Sequence, residues 1–435
     1  MKKIMFYSQH LAGIGHLVRS TEIVRSLAQQ FEVYFIHGGQ DVPGFQLPDQ
    51  VNEIRLPGLY MEGPVLKVVD ESQPLEAVQE RRQALLLSAF DSIQPDCLIT
   101  EGFPFSKHTL RFEMIPLLKH IEASGCPTKV VCCLRDIIMT QAMTDSVRAK
   151  KQARTCKWIN RYYDLILYHS DAQLQRLEES FSSLSELSPE IFYTGYVTQS
   201  EAESLPLNGE DLHYLNQPGP SIVVSVGGGR HGYELLRAIA SIAPTLAQLI
   251  PHKIYAFAGP YLPEADLLTL QEIAAMSSPN LVVRRFTSRL IDYLKQADLS
   301  ISLGGYNTTM NVLKTGVRSL IYPSPSEDQS GEQSLRACKL EKLDILTVLT
   351  DDDLAPEPLM RHILTALKKP PKAHCFNLNG APEAAMKLHQ FLSENPESAA
   401  ALAFVGAATQ RNHEQGFASE IDSEDQLSEV TALFR

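Results

Sequence analysis

The chain has 435 residues, of which 44% are hydrophobic and 21% charged, with a formal net charge of −12. That length exceeds one ordinary core and suits two, and the composition is that of a folded rather than a disordered chain. The acidic balance argues against a general nucleic-acid binder, which would carry a basic face.

The start, Met1-Lys2-Lys3, has the charge of a signal peptide, but Ser8, Gln9 and His10 cut the apolar run short. No uncharged apolar stretch approaches the length needed to span a bilayer. The seven cysteines form no C-x-x-C pair and several sit in apolar runs, so reduced thiols and no zinc site are expected. Together these place the chain in the cytoplasm, with at most a peripheral contact at the inner face of a membrane.

Short apolar runs alternate with helical stretches along the chain. Ile4–Tyr7, Val33–Ile36, Cys97–Thr100, Val130–Leu134 and Leu165–Tyr168 read as strands of a parallel sheet. His16–Gln29, Leu75–Ser92 and Phe112–Ser124 have helical length between them. Within the last of these, Met114–Leu118 could turn an apolar face to a membrane, although packing on its own sheet explains it equally. Residues 198–218 are polar and lack sustained periodicity, as a linker would.

A second series follows, with strands expected at Ile222–Val226, Ile254–Phe257, Leu281–Val283, Leu299–Leu303, Leu320–Tyr322 and Ile345–Leu349. The predicted organisation is therefore α/β: a doubly wound domain over 1–197, a linker over 198–218, a second such domain over 219–393, and an acidic tail over 394–435.

In such sheets ligands bind beyond the carboxyl ends of the strands, so the turns there carry the chemistry. Gly13-Ile14-Gly15-His16 follows the first strand and opens the first helix. Glycine permits close backbone approach, the helix start favours an anion, and His16 could act as a general base. Gly227-Gly228-Gly229-Arg230-His231-Gly232 matches the dinucleotide fingerprint, but the next strand ends Phe257-Ala258-Gly259 without the acid that would hold a ribose. A phosphate loop with Arg230 as its charge partner, or a plain turn, remains.

The strongest signal is Ser302-Leu303-Gly304-Gly305-Tyr306-Asn307-Thr308-Thr309, a strand, a glycine turn and a helix start with Asn307 as the expected cap. Its free amides suit a diphosphate without a metal. The polar loop Ser326 to Gln333 opens the next helix and offers carboxylates, Glu327 and Glu332, to sugar or ribose hydroxyls. Glu101 ends a strand beside Phe103 and Phe105, where burial would raise its pKa and make it a competing base; the alternative is an ion pair with Arg135.

The run Gly304 to Thr308 followed by Glu332-Gln333-Ser334-Leu335-Arg336-Ala337 resembles the C-terminal domain of glycosyltransferase family 28. This is the MurG-like family, which has the GT-B fold of two facing Rossmann-like domains and adds N-acetylglucosamine to a lipid-linked precursor. Thr100 to Phe105, Leu134-Arg135-Asp136-Ile137 and Gly227 to Gly229 echo a bacterial group known only as predicted glycosyltransferases.

The resemblance implies an inverting hexosyltransferase that takes a nucleoside-diphosphate sugar, UDP-sugar foremost, and needs no cofactor. It implies roles for Gly13, Gly15 and His16 in the acceptor-side loop, Gly227, Gly228 and Gly229 in the donor loop, and Phe286 beside the base. It also implies Gly304, Gly305, Tyr306, Asn307 and Thr308 at the diphosphate, with Glu332 and Gln333 at the sugar. Where the family has a ribose-binding glutamate this chain has Asn311, which leaves the contact to its amide or to Glu327.

The implied acceptor is lipid-linked, and no nucleic-acid partner is expected. The competing readings are an epimerase or hydrolase of nucleotide sugars on the same fold, and a non-catalytic nucleotide-sugar-binding subunit.

Overall fold

The structure, a computed structural model, describes residues 1–393 other than 12, 43–44, 201–208, 218, 278–279 and 326–329. The acidic tail and Glu327 lie outside the described residues. The chain divides into Met1–Met386 and a second unit from Lys387 onward, and both main sheets belong to the first.

The N-terminal strands are β1 (Lys3–Tyr7), β2 (Glu32–His37), β3 (Val51–Arg55), β4 (Leu59–Glu62), β5 (Val65–Val68), β6 (Cys97–Glu101), β7 (Lys129–Arg135), β8 (Leu165–His169) and β9 (Glu190–Tyr193). All but β4 and β5 form a parallel sheet in the order β3-β2-β1-β6-β7-β8-β9, while β4 and β5 pair as a separate hairpin. The helices α1 (Gly15–Leu27), α2 (Leu75–Ile93), α3 (Arg111–Ser124) and α4 (Asp145–Tyr162) belong to this part.

The sequence pattern does not reveal β3, β9 or the hairpin. The first two are sheet edges with partly exposed residues, so they lack the continuous apolar run that marks a strand covered on both faces. In α3, Met114, Leu117 and Leu118 are buried in the core of this half, which settles that segment as packing rather than membrane surface.

The second series begins with α5 (Gly209–Leu215), a helix inside the stretch expected to be linker. Its Asp211 is buried and accepts hydrogen bonds from Arg284 (2.6 Å), Thr287 (3.0 Å) and Tyr293 (3.0 Å). A tertiary anchor, not a periodic apolar face, thus accompanies this helix.

The strands β10 (Ser221–Ser225), β11 (Lys253–Phe257), β12 (Leu281–Arg284), β13 (Leu299–Leu303), β14 (Ser319–Tyr322) and β15 (Thr347–Val348) follow. With them come α6 (Tyr233–Leu249), α7 (Glu264–Ser277), α8 (Leu290–Gln296), α9 (Tyr306–Thr315), α10 (Glu332–Lys342), α11 (Pro356–Lys368) and α12 (Gly380–Ser393). The parallel order β12-β11-β10-β13-β14-β15 is that of a Rossmann sheet.

In each sheet the strand order reverses beside one strand, β1 in the first and β10 in the second. Neighbouring connections leave in opposite directions there and open a crevice at the carboxyl ends. The glycine turns after β1, β10 and β13 all lie at these two reversal points.

Candidate functional site

The crevice is built from helix starts. Gly15 is the first residue of α1, which places His16 in its first turn. Gly305, with φ −59° and ψ 149°, caps α9. The first intrahelical bond of α9 runs from Thr309 N to Gly305 O (3.0 Å), so the amides of Tyr306, Asn307 and Thr308 precede the ladder and point out of the helix start.

Asn307 is therefore not the expected cap. It is the second helical residue, and its Nδ2 donates to the carbonyl of Gly15 (2.9 Å), tying the two glycine turns together. The cap position has gone to a residue with no side chain, which frees the asparagine to reach across.

His16 Nδ1 lies 2.8 Å from Glu101 Oε1. Arg19, one helical turn further along α1, donates to the same oxygen, and Lys107 donates to Oε2 while also reaching the Gln9 carbonyl (2.7 Å). Burial alone would raise the Glu101 carboxyl, but His16, Lys107 and Arg19 together hold it well below its ordinary value.

The expectation of a raised, base-like Glu101 is thus overturned, because three positive or donating groups outweigh desolvation. The suggested ion pair with Arg135 is also absent, since Arg135 pairs instead with Glu332. At His16, by contrast, burial dominates and lowers it from 6.5, against the pull of Glu101. At neutral pH the pair is then a neutral imidazole on a carboxylate. Nδ1 carries the proton, and Nε2 is left with its lone pair on a side chain still 26% exposed.

Across the crevice, Glu332 is the first residue of α10 and Arg336 lies one turn on. Arg336 is fully buried and donates to both carboxylate oxygens of Asp136 (2.7 and 3.0 Å) and to the Gly304 carbonyl (3.3 Å). The Tyr306 ring has the Arg19 guanidinium 5.3 Å and the Arg336 guanidinium 5.4 Å from its centroid, which links this pair to the His16 cluster.

Gln333 is buried against Gly304. A Cβ at 304 would sit 3.1 Å from Gln333 Cβ, so only glycine lets α10 approach this turn without a shift.

The glycines of the turn after β10 differ among themselves. Gly227 has φ +63° and open space at its Cβ position, and a Cβ at Gly228 would lie 3.8 Å from Ile14 Cγ1 across the crevice. Gly229 has φ +82°, and a Cβ there would lie 2.4 Å from the Ala258 carbonyl. Gly229→Ala is therefore expected to destabilise the protein by on the order of 1–3 kcal/mol, from the left-handed backbone alone before any clash. Gly227→Ala should cost less, and urea midpoints of the two variants test the ranking.

Arg230 bonds Gln40 of the first half and lies over the Tyr261 ring at 4.6 Å. Phe286 is 39% exposed in the loop after β12. Gly13 stands in the loop before α1 with nothing near its Cβ position.

His16, Glu101, Gly15, Tyr306, Asn307, Gly304, Glu332 and Gln333 thus belong to one connected constellation. Thr308 is nearly buried in the first turn of α9. Asn311 stands apart: its amide is buried and bonded to Gln199 rather than turned toward these groups.

The residues that sequence reasoning missed are Arg19, Lys107, Asp136 and Arg336. Arg19 and Arg336 were within reach, because each lies three or four residues after a singled-out position on its helix.

Residues 223–388 match the glycosyltransferase family 28 C-terminal domain. A UDP-N-acetylglucosamine–N-acetylmuramyl-(pentapeptide) pyrophosphoryl-undecaprenol N-acetylglucosamine transferase of Bacillus licheniformis is 26% identical over 210 residues, 47% of this chain and 56% of the relative. Its counterpart in Halalkalibacterium halodurans is 25% identical over 251 residues, 55% and 64% of the two chains. The chain therefore spans less than two thirds of the length of these relatives.

Among solved structures, the glycosyltransferase of kitacinnamycin superposes with a TM-score of 0.54 at 14% identity, covering 92% of this chain and 98% of that one. The spinosyn forosaminyltransferase gives 0.54 at 14% identity, covering 90% and 100%. At such identities the likeness concerns the fold, which is GT-B.

Proposed function

We propose that this GT-B chain, with its family 28 C-terminal domain, is a glycosyltransferase that moves a hexosyl or N-acetylhexosaminyl group from a nucleoside-diphosphate sugar to an acceptor hydroxyl. The observation that carries the reading is the meeting of two helix starts, where Asn307 holds the Gly15 carbonyl next to the His16–Glu101 pair.

The acceptor hydroxyl attacks the anomeric carbon and gives its proton to His16 Nε2. The bond from that carbon to the diphosphate breaks, and its electron pair leaves on the diphosphate oxygen. That charge meets the free amides and the positive end of α9, with the Gly227–Gly228 backbone opposite. A helix start supplies this stabilisation by itself, so the reaction is metal-independent and uses no cofactor. A single displacement inverts the anomeric centre.

The family resemblance assigns Glu332 and Gln333 to the sugar hydroxyls, and exposed Phe286 suits the face of a base. UDP-sugar is the proposed donor, by analogy with the relatives whose names specify it. The same names put the acceptor on a lipid pyrophosphate, so a lipid-linked acceptor and a cytoplasmic chain at the inner membrane face complete the proposal.

Thermal shift with a panel of UDP, GDP, dTDP and their sugars, alongside NAD and ATP, is the test. A UDP-sugar at about 100 times its Kd should stabilise the fold by about 2.7 kcal/mol. Stabilisation by NAD or ATP alone would sink the reading. Release of free sugar from the bound donor without any acceptor would instead identify a hydrolase.

A further inference from the structure

The helix α11 packs on the core with one face and carries a second, open one. Leu359 and Ile363 are buried against the second sheet, while Glu357, Met360, Arg361, Leu364 and Lys368 follow one another at i, i+3, i+4, i+7 and i+11. At about 100° per residue those five fall within about 100° of one another, in a stripe about 16 Å long. Leu249, the last residue of α6 and 57% exposed, stands beside the stripe and forms with it a shallow groove of about 430 Å³.

The stripe is ordered by charge. Its centre is apolar, with Met360 and Leu364 only partly buried, and its two ends are opposite in sign: Glu357 in the first turn and Lys368 at the last residue. Glu357, Arg361 and Lys368 are exposed, and none of them has an ion-pair partner among the described residues. Exposed apolar surface rimmed by charge is the pattern of a protein–protein contact. The face also complements itself. Turned end for end on a copy of itself, it sets Met360 of each chain against Leu364 of the other. The same register brings each Glu357 within one residue, about 1.5 Å along the axis, of the partner's Lys368. A parallel pairing would instead set like charge on like at both ends.

We propose that this face pairs the protein with a second copy of itself, the two α11 helices running antiparallel across a twofold axis. A twofold contact requires a patch that complements itself, and the order Glu357, Met360, Leu364, Lys368 does so in charge and in apolar content. The two flanking ion pairs fix orientation and register, the apolar centre supplies the burial, and opposed helix dipoles favour the same arrangement. Arg361, one turn after Glu357 on the same helix, is placed to flank that carboxylate once the pair has formed. A helix lying on a helix buries less than the roughly 800 Å² per partner of a standard interface, so a reversible dimer is expected rather than a permanent one. Leu320 and Tyr322 of β14 face the side covered by α6, α7 and α11, and Ile321 faces α9 and α10, so pairing through α11 leaves the crevice open. Pairing of this kind needs no substrate and holds whether or not the chain is a transferase.

Analytical ultracentrifugation of the full chain from about 1 µM to about 1 mM, without donor or acceptor, reads the pairing. The parent chain should pass reversibly from monomer to dimer over that range. Glu357→Lys and Lys368→Glu should each weaken association about tenfold, because both ion pairs of the symmetric contact become repulsions at once. An equimolar mixture of the two variants should recover the dimer, since in the mixed pair every lysine again faces a glutamate. Leu364→Gln should weaken pairing as well, with a melting point close to that of the parent. A parent chain that stays monomeric throughout overturns the proposal. So does any of the three variants that pairs as tightly as the parent, or a mixture that pairs no better than its two components do alone.

Discussion

Replacing His16 with alanine is expected to lower kcat by on the order of 10²–10⁴, the range that a positioned general base contributes. Donor binding, read by thermal shift, should change little, because the imidazole accepts the acceptor's proton and does not hold the nucleotide. Glu101→Gln should lower kcat too, but by a different route. The glutamine no longer fixes the Nδ1 proton or stabilises the imidazolium that forms, and it leaves Arg19 and Lys107 without their shared carboxylate. That variant should therefore lose stability as well as rate, and His16→Ala mainly rate.

The pH dependence follows from the same pair. His16 has its pKa lowered from 6.5, so the base form is present above the folded value and the acid limb of kcat lies below 6.5. Between the two values the unfolded chain binds the proton that the folded chain refuses, so stability falls as pH drops below 6.5. Glu101, also lowered in the fold, pushes in the same direction at more acid pH. A His16→Ala enzyme that keeps most of the parental kcat, or an acid limb above 6.5, would remove the base from this site.

Asp136→Ala should cost on the order of 3–5 kcal/mol of folding stability, the largest effect expected of any single change outside the chemistry. Asp136 and Arg336 are at most 1% exposed and come from opposite sides of the crevice, so the alanine leaves a guanidinium buried without its counter-ion. Arg336 also holds the Gly304 carbonyl and lies against Tyr306, so the donor turn should loosen and donor affinity should fall together with stability.

Replacing both partners, Asp136→Leu with Arg336→Met, should recover much of the folding energy but not the donor affinity, since an apolar pair fills the space without holding the carbonyl. Urea unfolding and donor thermal shifts on the three variants measure both halves of the expectation. A cost for Asp136→Ala within about 0.5 kcal/mol, typical of surface changes, would mean that the pair is not holding the crevice.

Much of the framework could be read along the chain. Apolar runs with both faces covered marked the central strands, and the glycines at Gly13–Gly15, Gly227–Gly229 and Gly304–Gly305 marked the ligand-side turns. His16 was legible because a helix start beside a glycine turn has one local geometry. These features depend on periodicity and backbone freedom, which act over a few residues.

What only the tertiary structure decided is which charges meet. Arg336 and Asp136 are 200 residues apart, Asn307 and Gly15 are 292 apart, and Arg135 turns to Glu332 rather than to Glu101. The fate of Glu101 is the clearest case. Its burial could be inferred from its strand, but whether burial or neighbouring cations prevail depends on Arg19 and Lys107 arriving within hydrogen-bonding distance. The free energy of a buried charge depends on partners brought by distant segments, and no local pattern encodes that distance.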